Sequence, residues 1–575
     1  MANILEHLKP YRGQIIVVAF LLLVQAIANL YLPNLNADII NFGITQGDMG
    51  YIVRTGGLML VVTFLVGICA LITVYLSSKT AMGFGKDLRR SLFYRVQGLS
   101  QTEVNMLGTP SLITRTTNDV QQIQMAVGMG LNVMISVPVM GIGGVIMALR
   151  QDVVLSISII ALVPLLGIFL AVLMRKASPL FRSMQKKIDM LNRVVQEKLA
   201  GVRVIRAFVK TDYEERRFDQ ANMDLTATAL TINRLMAFTM PFTMLVINIA
   251  MVGAMWFGAN RIDSGVLPVG NLTAFLAYIM QILMSVMMSM MMFTMIPRAA
   301  ASVERIGEVL ELESSIRPPV DARVPEGEVS SIEFRDVEFI YPGAQTPVLS
   351  GITFSAHAGQ TTAIIGSTGS GKSTLINLIP RLYDVSGGKV LVENIDVRDW
   401  PETELREKIG FVSQQAFLFS GTVGENLRYG KDDAKEAELW HALATAQGEQ
   451  FVKDMAGGLE APVAQAGTNL SGGQKQRLAI ARALVKKPKI YIFDDSFSAL
   501  DFRTDAALRA ALAQEVEDAV VIIVAQRVST IMHAHQIIVL EDGRIAGIGK
   551  HKELLETCDV YSEIVFSQLP EEEAV

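Results

Sequence analysis

Charged side chains are missing from six long stretches of the chain: 15–32, 55–78, 121–149, 153–174, 235–260 and 264–297. A helix needs roughly 20 apolar residues to cross a bilayer. Core helices of soluble proteins seldom run this far without a charge. The pattern therefore predicts six membrane-spanning helices. Tyr31, Leu32 and Pro33 follow the first apolar run where a small-residue cleavage site would stand, so that run reads as a retained span and not as a signal peptide. The intervening loops are unequal. Loops 79–120 and 175–234 hold 6 and 13 basic residues, whereas loops 33–54, 150–152 and 261–263 hold one each, Arg54, Arg150 and Arg261. That asymmetry puts the long loops and both termini on the cytoplasmic side of a cell membrane. The long loops keep a helical pattern, as in 191–209 (LNRVVQEKLAGVRVIRAFV). Two arms of ~30 residues each would reach ~45 Å at 1.5 Å per residue. Within residues 1–12, Ile4, Leu5, Leu8 and Tyr11 alternate with Glu6, Lys9 and Arg12, which suits a segment lying along the interface.

From about residue 300 the pattern changes. A Pro/Glu-rich passage, 317–328 (RPPVDARVPEGE), reads as a linker within 301–331. Beyond it, apolar strands alternate with helices: TTAIIG at 361–366, then KIGFVS, KIYIFD, VVIIVA and QIIVLEDGRIAGIG. That alternation predicts an α/β domain with a largely parallel sheet. The expected organisation is a multidomain membrane protein: segment 1–12, a six-helix transmembrane domain at 13–300, the linker, an α/β P-loop nucleotide-binding domain at 332–568, and an acidic tail at 569–575 with Glu571, Glu572 and Glu573. Composition agrees. Charged residues make up 19% of the 575, against about 25% in ordinary soluble chains, and 51% are hydrophobic. The net charge of -5 supplies no basic footprint for nucleic acid. Cys69 and Cys558 are too far apart in sequence to suggest a zinc site or a disulfide scaffold.

Candidate chemistry lies in the α/β half. Gly366-Ser367-Thr368-Gly369-Ser370-Gly371-Lys372-Ser373 follows an apolar strand, and Thr374 continues into a predicted helix. Glycines at this spacing let backbone N–H groups turn inward around phosphates, and the helix start adds its positive end. Lys372 would reach the β- and γ-phosphates of ATP, and Ser373 would ligate Mg²⁺. The strand 490–494 ends in Asp494, which suits a second contact to Mg²⁺. Between them stands Leu470-Ser471-Gly472-Gly473-Gln474, adjacent glycines at the start of another helix.

This set of motifs, in this order, resembles the ATP-binding cassette (ABC) transporter family. LSGGQ is that family's signature, and six spans before one cassette resemble a half-transporter of the exporter type. The resemblance implies further roles. Tyr341 would stack on adenine. Gln414 would sense Mg²⁺ and the γ-phosphate. Asp501, closing Ser498-Ala499-Leu500-Asp501, would touch the opposite subunit near the nucleotide. Ser471, Gly472, Gly473 and Gln474 would act on the ATP held by a partner's cassette.

The departures from the family pattern are informative. After the Mg²⁺ aspartate the family carries a glutamate that polarises the attacking water; here the residue is Asp495. After the strand 520–525 it carries a histidine; here it is Gln526. Asp495 is one methylene short, and a displacement of about 1 Å can cost ~10²-fold in rate. Gln526 is uncharged. The stretch 463–467 (VAQAG) also departs from the family's VGERG, which puts its coupling role in doubt. An intact signature beside a poor base resembles one subunit of the heterodimeric bacterial exporters. The expected partners are therefore a second half-transporter, the lipid bilayer and an apolar or amphipathic substrate. Met280, Met284, Met287, Met288, Met291 and Met295 recur at helical spacing in the last span, with Met290 and Met292 beside them. They read either as packing or as an adaptable wall for apolar ligands. No charge stands inside the six runs, which disfavours a strongly charged small substrate. An importer on the same fold and an ATP-gated channel or regulatory membrane protein are the alternatives; a soluble ATPase is excluded by the spans.

Overall fold

The computed structural model describes Ile4, residues 6–325 and residues 330–570. The end of the linker passage, at 326–328, and the acidic tail at 571–573 lie outside the described residues, as does Leu5. The chain divides into two compact units, Met1–Val96 with Pro110–Glu311, and Gln97–Thr109 with Leu312–Val575.

The first unit is helical. Its main helices are α1 (Arg12–Asp38), α2 (Met49–Gln97), α3 (Val120–Gln151), α4 (Val153–Ala200), α5 (Thr211–Ala237), α6 (Thr239–Asp263) and α7 (Val269–Glu311). Among the described residues, six helical segments are long and apolar enough to cross a membrane. α2 and α4 run for 49 and 48 residues, about 70 Å each at 1.5 Å per residue, far more than a bilayer needs. A single residue, Asp152, separates α3 from α4 and caps the latter, its Oδ1 accepting from Val154 N and Leu155 N at 2.8 and 2.9 Å. The core gathers where α7 meets α1 and α3, around Phe275, Tyr278, Ile279 and Ile282. Gly144 permits that approach: a Cβ there would stand 2.8 Å from Ile282 Cγ1. At the other end of α7, Asp119 is buried against Ser302, which donates at 2.9 Å, and against the Arg305 guanidinium.

Two features differ from the expectation. The first span does not end at Pro33; α1 carries that proline inside it and passes into a π-helical turn, Ile39–Ile44. The last span continues as helix to Glu311, through the first residues of the region 301–331 assigned to the linker, and stops before the Pro/Glu-rich passage.

Among the described residues, the second unit holds two large sheets and a two-stranded pairing of Gly421–Thr422 with Pro462–Val463. Strands β1 (Ser331–Phe339), β2 (Leu349–His357), β4 (Gly387–Val392) and β5 (Ile395–Asp396) form an antiparallel sheet in the order β2-β1-β4-β5. The larger sheet contains β3 (Thr361–Gly366), β6 (Ile409–Val412), β7 (Ile490–Asp494), β8 (Val520–Val524), β9 (Gln536–Glu541) and β10 (Arg544–Gly549), in the order β10-β9-β3-β8-β7-β6. It is parallel except for β10. β7 and β8 are buried at every position, which is why they read as unbroken apolar runs. The short helix Gln101–Leu107 belongs to this unit. Its Ser100–Glu103 capping box is buried, and Glu103 Oε1 accepts from Ser315 N at 3.1 Å.

Candidate nucleotide site

The central strand β3 delivers its last residue, Gly366, to the loop that precedes α8 (Lys372–Asn377). Gly371 stands at φ +97°, and a Cβ there would lie 2.7 Å from Leu349 Cδ2, so this turn requires glycine. Lys372 Nζ lies within the loop and donates to Gly366 O at 2.9 Å and Ser367 O at 2.6 Å. β7 and β8 are parallel neighbours in register, Val524 opposite Asp494. That register brings the residues after each strand together. Thr368, Gly369, Lys372, Ser373, Gln414, Asp494, Asp495 and Gln526 line one recess of about 220 Å³, with Val348 and Val524 in its apolar wall.

Within it, Ser373 Oγ donates to Asp494 Oδ1 at 3.2 Å. Burial pushes the Asp494 carboxyl above its usual range, the Ser373 hydrogen bond and Lys372 opposing and Asp495 reinforcing. Burial pushes the Lys372 ammonium below its usual range, against the pull of Asp495 and Asp494. The adjacent Asp495 stands in the left-handed region, at φ 47°. Such a conformation costs a non-glycine residue of order 1–3 kcal/mol and persists only where its surroundings hold it. Two amides do so: Gln526 Nε2 donates to Asp495 Oδ2 at 3.0 Å, and Gln414 Nε2 to the same oxygen at 3.4 Å. Asp495 N also donates to Val524 O at 2.9 Å.

Gly371 and Thr374 also line this recess, whereas Tyr341, the signature and Asp501 lie outside its lining. Tyr341 is held by an edge-on contact with Phe339, ring centroids 4.8 Å apart, and its hydroxyl lies 3.0 Å from Thr374 Oγ1. The signature is arranged on a second helix start: Ser471 caps α9 (Gly472–Lys486), with Ser471 Oγ accepting from Gln474 N at 3.3 Å and Gln474 Oε1 accepting from Ser471 N at 2.9 Å. Asp501 caps α10 (Phe502–Glu515), and its hydrogen bonds from Thr504 hold its carboxyl below the usual range. Ser471, Gly472 and Asp501 are exposed. Sequence reasoning missed Glu103 and its partners, although Ser100-x-x-Glu103 is a capping box legible in the sequence.

A strand, a glycine loop and a buried acid at the end of the next strand but one define a P-loop ATP-binding domain, here joined in one chain to six helices long and apolar enough to cross a membrane. The family model for the ABC transporter transmembrane region matches residues 15–286, and the ABC transporter family model matches residues 349–498. The chain is 46% identical over 572 residues to an uncharacterized ABC transporter ATP-binding protein of Mycobacterium tuberculosis, covering 99% of this chain and 98% of that one. It is 37% identical to another in Bacillus subtilis, covering 100% and 99%. The structure of a bacterial Atm1-family ABC exporter with ATP bound matches with a TM-score of 0.81 at 24% identity, covering 97% of this chain and 100% of that one. The chain belongs to the ABC transporter family and is a multi-pass membrane half-transporter with the exporter-type fold. Its cassette binds ATP, whose hydrolysis this family couples to transport.

Proposed function

We propose that the chain is the weak-site half of a heterodimeric exporter for an apolar or amphipathic substrate, with its cassette on the cytoplasmic side. The observation that carries this reading is the state of Asp495. A general base must be free to take a proton from water and must reach it. Asp495 has a short side chain, and one carboxylate oxygen is engaged by both Gln526 and Gln414. The signature at Ser471–Gln474 is intact and exposed, as a surface meant for a partner's ATP would be.

Mg²⁺ fits this site. The Ser373 hydroxyl and the Asp494 carboxylate converge in the recess, and Asp494 is buried. Ser373 and Asp494 would hold the ion, with Gln414 beside them, and the ion would neutralise phosphate charge. Lys372 and the loop N–H groups would orient the phosphates, while Tyr341 would pack on the base.

The wall of the last span supports the substrate class. Met280, Met284 and Met288 are exposed along α7, at intervals of four residues, opposite the buried Ile279, Ile282 and Leu283. Thioether side chains re-pack around varied apolar ligands. The side chains of Met290 and Met291 lie outside those described.

The test is steady-state ATPase of the purified chain alone and with a half-transporter carrying glutamate and histidine at the positions of Asp495 and Gln526. The chain alone should turn over at least ~10²-fold more slowly than the pair. A homodimer that hydrolyses ATP as fast as the pair sinks the proposal.

A further inference from the structure

The first span carries a charge that its apolar run concealed. α1 passes through Pro33, bears Asp38 in its last turn, and loosens into the π-helical turn Ile39–Ile44. Such turns are rare and recur at functional positions. Here, with Arg150 and Gln151 at the end of α3 and residues 267–271 at the start of α7, the turn encloses a recess of about 660 Å³ in the helical unit.

The walls are fixed by amides bonded to one another. Asn41 Nδ2 donates to Asn271 Oδ1 at 2.8 Å, and Asn41 Oδ1 accepts from Gly270 N at 2.7 Å. Gln151 Nε2 donates to Asn34 Oδ1 at 2.5 Å. Two charged side chains line the same recess, Asp38, which is half-buried, and Arg150, which is exposed. Neither has a hydrogen-bond or ion-pair partner among the described residues, and they do not pair with each other. The neighbouring Asp152, by contrast, is tied to Arg261 at 2.7 Å. Asp38 and Arg150 stand where α1 and α3 end, and a half-buried carboxylate without a partner is costly, which favours a ligand that supplies one. Opposite charges that share a cavity without meeting complement a ligand bearing both signs.

We propose that this recess binds a zwitterionic group, a primary ammonium against Asp38 and a phosphate or carboxylate against Arg150. An ionised Asp38 offers acceptors only, so the cation must bring N–H donors, which a quaternary ammonium lacks. The Arg150 guanidinium suits a two-oxygen anion. The phosphoethanolamine headgroup of a bilayer lipid and a free small zwitterion share this chemistry. The site is independent of the heterodimer reading.

Native mass spectrometry of the full-length protein, offered equal amounts of phosphatidylethanolamine and phosphatidylcholine, tests it. The wild type should retain the ethanolamine lipid roughly tenfold over the choline lipid, the weight of one charge-assisted hydrogen bond. Asp38→Asn should remove that preference, and Arg150→Gln should lower retention of both lipids roughly tenfold, while MgATP still binds to each variant. Arg150 is exposed, so its variant keeps the test alive should Asp38→Asn fold poorly. The soluble headgroup glycerophosphoethanolamine separates the sources. If it displaces the lipid and raises the melting temperature unaided, a free zwitterion is the ligand; if it does neither while the lipid preference stands, the bilayer supplies it. Equal retention of both lipids with no response to the soluble headgroup overturns the proposal. So does an ethanolamine preference that survives Asp38→Asn, or retention of both lipids that is unchanged in Arg150→Gln.

Discussion

Two glycine-rich turns in the ATP-binding unit each open a helix, and the two helix starts are finished differently. α8 begins behind Gly371, with no side-chain cap, and Lys372 is folded within the loop beside it. α9 begins behind Ser471, whose capping box with Gln474 satisfies two backbone N–H groups from within the chain. The first start leaves its donors to an external anion and stands in a recess with Ser373 and Asp494. The second is a self-sufficient helix start, exposed, with the N–H groups of Gly472 and Gly473 and the hydroxyl hydrogen of Ser471 left to donate. One is a site in its own right. On the proposed reading, the other would become part of a site when a second cassette brings a nucleotide to it.

That contrast can be broken most sharply at α9. Ser471→Arg or Gly472→Asp should cost the two-chain complex ~10²–10³-fold in ATPase, the weight of one lost donor to charge developing in the transition state. Nucleotide binding at the Lys372 loop should stay intact. Photo-crosslinking of an ATP analogue to each chain, alongside ATPase, checks both halves. Loss of labelling on this chain would mean that α9 supports its own recess.

A change in the first turn should act on binding. Lys372→Ala should lower occupancy at this chain's recess by about tenfold or more, the weight of a charge-assisted contact, and leave a measurable share of the complex's hydrolysis. Complete loss of ATPase with unchanged occupancy contradicts the assignment.

The raised carboxyl of Asp494 gives a pH dependence of known sign. Metal binding needs the ionised form, so stabilisation by Mg²⁺ and nucleotide should be full at neutral pH and shrink on acidification, starting above the range of an ordinary aspartate. Without ligand the sign reverses. The native state holds the Asp494 proton more tightly than the unfolded chain, so this group adds stability as pH falls and loses it as pH rises. Melting curves with and without MgATP across pH, repeated on Asp494→Asn, separate the two slopes; the variant should lose both.

The legible parts of the molecule were those whose physics is local. β7 and β8 are buried on both faces and so carry continuous apolar runs, and the phosphate loop is a spacing of glycines around Lys372. The antiparallel sheet was left unread because β1 alternates only in part, its register shifting between Phe334 and Val337 around the left-handed Asp336. The length of the first span was hidden by Pro33, which usually ends a helix. Asp38 and the π-helical turn beyond it went unseen for that reason. The membership of Gln101–Leu107 in the ATP-binding unit rests on long-range contacts such as Glu103 with Ser315, which no periodicity records. At the site, the residue types at 495 and 526 could be read, but not that the amides of Gln526 and Gln414 meet on one carboxylate oxygen of Asp495.

The smallest effect is expected at Asp495, and it bears hardest on the assignment. A working general base contributes ~10²–10⁴-fold, so its removal from an active site is severe. Asp495→Asn keeps the shape of the side chain and its contact region with Gln526 and Gln414, but removes the charge. If this chain's recess turns over little ATP, steady-state hydrolysis by the complex should fall by less than about threefold, because the competent site lies in the partner. The dwell time of ATP can still change, since Asp495 also pulls on Lys372. The measurement is ATPase of the complex with Asp495→Asn in this chain, set beside the equivalent change in the partner. A loss here as large as that of the signature variants would make Asp495 a working base. The two amides would then be orienting it toward water, and the asymmetry between the two ATP sites would have to be abandoned.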